Sequence, residues 1–320
     1  MLPEVLAALG PQAGEVYVDG TFGNGGYSES FLKAADCKVI GLDRDPNVAS
    51  RAAELAAQYE GRFELIKTPF SKMDAVGMEL VDAVILDIGV SSMQLDQAAR
   101  GFSFMRSGPL DMRMGDRGPT AADAVKSLSH SDLIRVFQVY GEERRARRAA
   151  DFIIRAREEE DIVTTEQLAD IIESALGRGG KIHPATRVFQ ALRIFINDEL
   201  GELYRGLCAA EAILKPGGRL IVVTFHSLED RIVKSFMRRR AGEVAGGSRY
   251  APEIKHEGPE ASFAQGKRSV IKPSKTEVGE NPRSRSAKLR FAIRSAAPVF
   301  PNDDGLLPNV VHVSSLEGAR

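Results

Sequence analysis

The feature that most restricts this chain's fold is an alternation in its first hundred residues. Short β-rich runs, Glu15–Val18, Lys38–Asp43, Phe63–Thr68 and Asp82–Ile88, are separated by helical stretches. A parallel sheet with crossover helices requires such a pattern. The first, second and fourth runs each lead into an Asp followed by a break, at Asp19-Gly20, Asp43-Arg44-Asp45-Pro46 and Asp87-Ile88-Gly89. Ligands of open α/β sheets bind at the carboxyl ends of the strands, so three acidic strand ends imply one polar, hydrogen-bonding pocket.

The alternation then stops. Between Gly108 and about Gly180 no strand-like run occurs, and helix ends are recognisable instead. One helix is predicted from Asp132 to Tyr140, stopped by Gly141. A very basic stretch follows from Glu142 to Glu159, and a third helix opens at Thr164 with Gln167 in capping-box spacing and ends at Gly177. Pro184 suits the first turn of a further helix with Val188, Ala191, Leu192 and Phe195 on one apolar face. A fifth strand, Arg219–Phe225, follows the turn at Lys215-Pro216-Gly217-Gly218. A helix from Leu228 to Arg240, a loop of about 45 residues and a last strand, Lys288–Arg294, complete the pattern. The expected organisation is a discontinuous α/β core over residues 1–107 and 181–296, an all-α insert over 108–180 for substrate recognition, and a loose tail over 297–320.

Two cysteines, Cys37 and Cys208, make neither a disulfide framework nor a metal cluster, and five scattered histidines lack zinc spacing, so no metal is expected. No apolar run is long enough to span a membrane and no signal peptide opens the chain, which points to the cytoplasm. The net charge of −1 hides an asymmetry. From Arg231 to Arg294 sixteen Lys or Arg face six Glu and no Asp, a footprint suited to phosphates or a solvated, soluble face.

The run from Val18 through Asp19-Gly20-Thr21-Phe22-Gly23-Asn24-Gly25-Gly26-Tyr27 to Ser28 follows the first strand and opens a helix. Its glycines allow a sharp turn and close approach of a ligand to backbone N–H groups. Asp43, at the next strand tip, stands where a carboxylate receives ribose hydroxyls. The strict G-x-G-x-x-G dinucleotide spacing is absent. A nucleoside cofactor without a pyrophosphate needs fewer anion-binding amides, which favours methyl transfer over hydride transfer. Asp87 could accept a hydrogen bond from an aromatic amine and localise its lone pair for attack on a sulfonium methyl. It could equally contact only the cofactor or cap the strand. No Cys follows this strand, which disfavours covalent attack on a pyrimidine ring. His226, just past the fifth strand, reaches the same edge in either a structural or a direct role.

These stretches together resemble the small-subunit ribosomal RNA methyltransferase H family, which methylates the N4 amine of a decoding-centre cytidine. The matching pieces are the Gly-rich run at Asp19, Leu42-Asp43-Arg44-Asp45-Pro46, Pro69-Phe70-Ser71, Leu86-Asp87-Ile88-Gly89-Val90-Ser91-Ser92 and Arg100-Gly101-Phe102-Ser103-Phe104-Met105. Further pieces are Gly108-Pro109-Leu110-Asp111-Met112-Arg113-Met114, Tyr140-Gly141-Glu142-Glu143, His183-Pro184-Ala185-Thr186-Arg187, the His226 segment and Asn281-Pro282-Arg283-Ser284-Arg285-Ser286-Ala287. They run in family order to about Arg294. The resemblance implies a Rossmann-like methyltransferase core, S-adenosyl-L-methionine as cofactor and 16S ribosomal RNA or the small ribosomal subunit as partner. It also implies cofactor contacts at Gly25, Gly26, Tyr27, Asp43, Phe70, Asp87 and Gln94, with Phe70 on the adenine; the candidate catalytic residue, from its place at the fourth strand's end, is Asp87. Met93 stands where many relatives have Pro. The competing readings are a non-catalytic RNA-binding assembly factor on the same fold and an amino-methyltransferase for DNA.

Overall fold

The computed structural model describes residues 1–90, 96–178, 183–242, 259–265, 270–301 and 304–316. Its contacts divide the chain into two compact units, one of Met1–Gly89 with Leu200–Leu307, the other of Val90–Glu199 with Pro308–Arg320.

The first unit is built on a seven-stranded sheet. In chain order its elements are α1 (Leu2–Leu9), β1 (Val16–Asp19), α2 (Gly26–Ala34), β2 (Lys38–Asp43), α3 (Ala49–Gln58), β3 (Phe63–Lys67) and β4 (Val81–Asp87). The strands are joined edge to edge as β3, β2, β1, β4, then β5 (Leu214–Thr224), β7 (Lys288–Arg294) and β6 (Phe263–Gln265). The first five are parallel, and β7 runs antiparallel to both of its neighbours. This is the Rossmann-like α/β architecture expected from the sequence. Central strands covered by helices on both faces must be apolar throughout, and Val84, Ile85, Leu86, Ile221, Val222 and Val223 are all fully buried. Each such side chain stabilises the fold by roughly 1.5–3 kcal/mol.

Chain order reverses between β1 and β4, which are hydrogen-bonded neighbours. That reversal opens a crevice at their carboxyl ends, where the turn after β1 and the tip of β4 meet. At the opposite strand ends, Tyr17 and Arg219 both hold Glu15, and Lys215 pairs with Asp82. These contacts lock the strand starts. The turn Lys215–Gly218 lies inside β5 as an irregularity of its pairing with β4, so that strand begins five residues before the expected Arg219. The short edge strand β6 lies in the stretch read from sequence as loop.

In the second unit all described helices and strands are helical, apart from an isolated bridge between Pro109 and Thr164. They are α4 (Ala121–Ser127), α5 (His130–Val139), α6 (Ala146–Glu159), α7 (Thr165–Leu176) and α8 (Ala185–Ile196). The Thr164–Gln167 capping box forms as the spacing predicts. A second box, Thr120 with Asp123, starts α4, which sequence reading passed over. The division differs from the bounds 107/108 and 180/181, because α8 packs on α4, α5 and α7. Its apolar face of Val188, Ala191, Leu192 and Phe195 is buried there. The tail read as loose also makes specific contacts: the Phe300 N–H donates to Glu211 Oε1 at 3.0 Å, and Arg135 donates to the Asn309 carbonyl at 3.0 Å.

Further α-helices are α9 (Glu199–Ile213), α10 (Ser227–Arg240) and α11 (Lys275–Glu280). Among the described residues no helix is long and apolar enough to cross a membrane.

Candidate cofactor site at the sheet reversal

The Gly-rich turn is held from both flanks. The Gly20 N–H donates to the Ile85 carbonyl of β4, the Phe22 N–H to the Leu42 carbonyl of β2 and the Gly23 N–H to Asp43 Oδ2 at 2.8 Å. Gly25 caps α2 with φ of +71°, and a Cβ there would sit 2.8 Å from the Phe22 ring. Any side chain at this position is both strained and blocked. Gly26 is different: it is exposed, and a Cβ there would meet nothing within 4 Å. Open space therefore lies beside the first N–H groups of α2.

Asp19 is wholly buried, accepting from Ser28 Oγ at 2.7 Å and from the Thr21 N–H at 3.3 Å. Burial, with Asp43 nearby, pushes its carboxyl up to about 6. Asp43 accepts the Gly23 and Asp45 N–H groups, one on each oxygen, and burial raises its pKa as well. Each carboxylate oxygen can accept more than once, so both bonds leave capacity for ribose hydroxyls.

Asp87 ends β4, its N–H bonded to Thr21 Oγ1 at 2.7 Å. Its side chain hydrogen-bonds the Tyr27 hydroxyl. Oδ1 is buried and has no hydrogen-bond partner. Burial and the like charge of Asp19 bring this carboxyl up to about 7. Tyr27 is raised well above the ordinary phenol range, by burial first and then by the carboxylates of Asp87 and Asp19. An orphaned acceptor among carboxylates that repel one another is costly unless a ligand completes it. A cationic or N–H-bearing group fits that need.

Phe70 packs between two glycines that only their lack of a side chain permits. A Cβ on Gly206 of α9 would fall 2.3 Å from the Phe70 ring, and one on Gly20 would fall 3.2 Å from Phe70 Cβ. The half-buried ring is thereby placed against the turn after β1. Six of the expected contact residues, Gly25, Gly26, Tyr27, Asp43, Phe70 and Asp87, thus lie at strand tips, in turns or at helix starts on this strand edge. Gln94 lies outside the described residues.

His226 caps α10 in a reciprocal box with Glu229, whose Oε2 accepts the Phe225 and His226 N–H groups at 2.8 and 3.1 Å. That arrangement gives it a structural task. Sequence reading noted Asp19 only as a strand end and missed Glu229. Both raise the Asp87 carboxyl, and neither carried a signal beyond its acidic type.

Within the basic segment from Arg231 to Arg294, read from sequence as suited to phosphates, Arg240 needs correction. Its side chain is 3% exposed and paired with Glu211 at 2.6 Å, lying over the Phe236 ring. An arginine so enclosed cannot meet phosphate. Arg294 is buried too, donating to the carbonyls of Glu211, Ser262 and Ser295, and Lys288 and Arg290 both pair with Asp230. These four of the segment's sixteen cationic residues thus have structural partners. Lys267 and Arg268 lie outside the described residues.

The sequence profile of the MraW methylase family matches residues 1–295. A protein of Maricaulis maris named ribosomal RNA small subunit methyltransferase H is 57% identical over 325 residues, covering 100% of this chain and 97% of that protein. A protein of the same name from Caulobacter vibrioides is 56% identical over 303 residues, covering 94% of this chain and 96% of its own. With the sheet order, the Gly-rich turn and the orphaned carboxylate already in place, these matches leave one assignment: the chain belongs to the MraW methylase family.

Proposed function

We propose that this protein transfers a methyl group from S-adenosylmethionine to the N4 amine of a cytidine in 16S ribosomal RNA, acting in the cytoplasm on the RNA or the small ribosomal subunit. The observation that carries the reading is the unpartnered, buried Oδ1 of Asp87 at the tip of β4, on a side chain that hydrogen-bonds Tyr27.

S-adenosylmethionine supplies an electrophilic methyl on a sulfonium whose positive charge suits an acidic pocket. Asp43 would receive the ribose hydroxyls, the first turn of α2 would hold the methionine portion and Phe70 would pack on the adenine. Asp87 Oδ1 accepts an N–H of the substrate amine, which turns the nitrogen lone pair toward the methyl. Tyr27 steadies the carboxylate through its hydroxyl. Accepting a methyl would leave the amine cationic, with a proton to lose. A carboxyl held near 7 is matched to take it. A paired base hides its amine, so the cytidine is unpaired or extruded when it reacts.

The test is methylation of small subunits from cells lacking this protein, with nucleoside analysis of the product. N4-methylcytidine is expected; label at ring carbon-5 or a ribose oxygen would reject the amine mechanism.

The Asp43 assignment is checked separately. Asp43→Ala should weaken S-adenosylmethionine binding by roughly 1–3 kcal/mol, the scale for removing one side of a buried hydrogen bond. Unchanged calorimetric affinity in the folded variant would restrict Asp43 to holding Gly23 and Asp45.

A further inference from the structure

The helical unit carries an exposed basic face that its own stability does not explain. On and just before α6, Arg144, Arg147, Arg148 and Arg155 are all exposed, and among the described residues none of the four makes an ion pair. Their neighbours behave differently. Arg145 donates to the Leu176 carbonyl at 2.6 Å, and Arg157 donates to the Val125 and Leu128 carbonyls at 2.7 and 2.8 Å. The inner face of Ala146, Ala149, Ala150 and Ile153 is buried in the helical unit.

The charge runs against the helix dipole. A helix start favours acidic side chains, yet the first turn of α6 has none and holds Arg147 and Arg148, while the last turn carries Glu158 and Glu159 beside Arg157. Between the arginines Phe152 is half-buried, with the Arg148 and Arg155 guanidinium groups 5.8 and 6.0 Å from its ring centroid. Guanidinium groups around an aromatic ring form the kind of surface on which single-stranded nucleic acid rests, phosphates on the cations and a base on the ring.

We infer that the outer face of α6 binds a single-stranded stretch of the substrate RNA, with Arg144, Arg147, Arg148 and Arg155 on its phosphates and Phe152 against a base. This rests on the ribosomal RNA reading above. It assigns the helical unit a recognition surface outside the phosphate footprint expected between Arg231 and Arg294.

The test uses the full chain with fluorescein-labelled poly(C), its anisotropy followed over a potassium chloride series, and cofactor affinity measured in parallel. Arg147→Glu with Arg148→Glu improves the match to the helix dipole, so the double variant should fold at least as stably as the parent. Its RNA affinity should fall at least ten-fold. The slope of log affinity against log salt should flatten by about 1–2, since each phosphate contact on a single strand contributes about 0.7. Phe152→Leu should lower affinity by roughly five- to a hundred-fold with the slope unchanged, and Arg147→Lys with Arg148→Lys should retain the slope. A reversed variant that binds cofactor and keeps the parental slope and affinity overturns the inference. Failure of the unaltered protein to bind poly(C) overturns it as well, whereas failure to methylate subunits overturns instead the reading on which it rests.

Discussion

Asp87→Asn is expected to slow methyl transfer on the order of a hundred-fold at saturating S-adenosylmethionine, the scale on which one preorganised electrostatic partner contributes to a transition state. The same change should make the protein more stable at neutral pH. Asparagine keeps the shape and the bond to Tyr27 while removing a charge that burial and Asp19 oppose. The sign follows from proton counting. Between the ordinary carboxyl range near 4 and the folded value of about 7, the folded chain holds a proton on Asp87 that the unfolded chain has lost. Stability from this group therefore declines as pH rises across that window, and its cost is fully present above 7. Each unit of displacement is worth about 1.4 kcal/mol. Because Asp19 shares the titration, a gain on the order of 2 kcal/mol in the variant is the reasonable expectation. Single-turnover transfer and denaturant unfolding, both measured from pH 5 to pH 8, check the pair of effects. Parental transfer should rise through about pH 7 as the carboxylate forms. A folded variant with normal transfer and no gain in stability would make Asp87 a strand cap.

Glu211→Ala should be the most destabilising of these substitutions, costing about 3–5 kcal/mol by leaving the enclosed Arg240 guanidinium without its counter-charge. Glu211 also receives the Phe300 N–H, so the chain after β7 loses an anchor as well. Replacing both partners, as in Glu211→Leu with Arg240→Met, should recover most of that loss, because apolar groups of similar size need no counter-charge. Chemical denaturation of the three proteins decides the matter. In the double variant the salt dependence of RNA binding should equal the parent's, since Arg240 is turned inward. A flattened slope would restore Arg240 to the phosphate footprint.

The two predictions mark where local pattern stops being informative. Strand alternation and glycine turns are written in neighbouring residues, so β2 and β7 were placed to the residue and the Thr164 capping box was predicted by its spacing. The three acidic strand ends were legible for the same reason: an Asp followed by a break marks a strand tip wherever it occurs. Short elements with few periodic positions, such as β6 and α4, fell below that threshold.

The sequence by itself determined the kind of fold, the family and the strand ends that converge. The tertiary structure decided which charges are available. Arg240 and Arg148 are the same residue type in equally basic stretches, yet one is enclosed by Glu211, Phe236 and Phe300 while the other stands exposed beside Phe152. Asp87 and Asp82 begin and end one strand region, yet Lys215 lowers Asp82 whereas burial beside Asp19 raises Asp87. The physical reason is that secondary structure follows from residues a few positions apart. Desolvation and charge pairing depend on residues brought together from distant parts of the chain, as Glu211 is with Arg240 and Asp19 with Asp87.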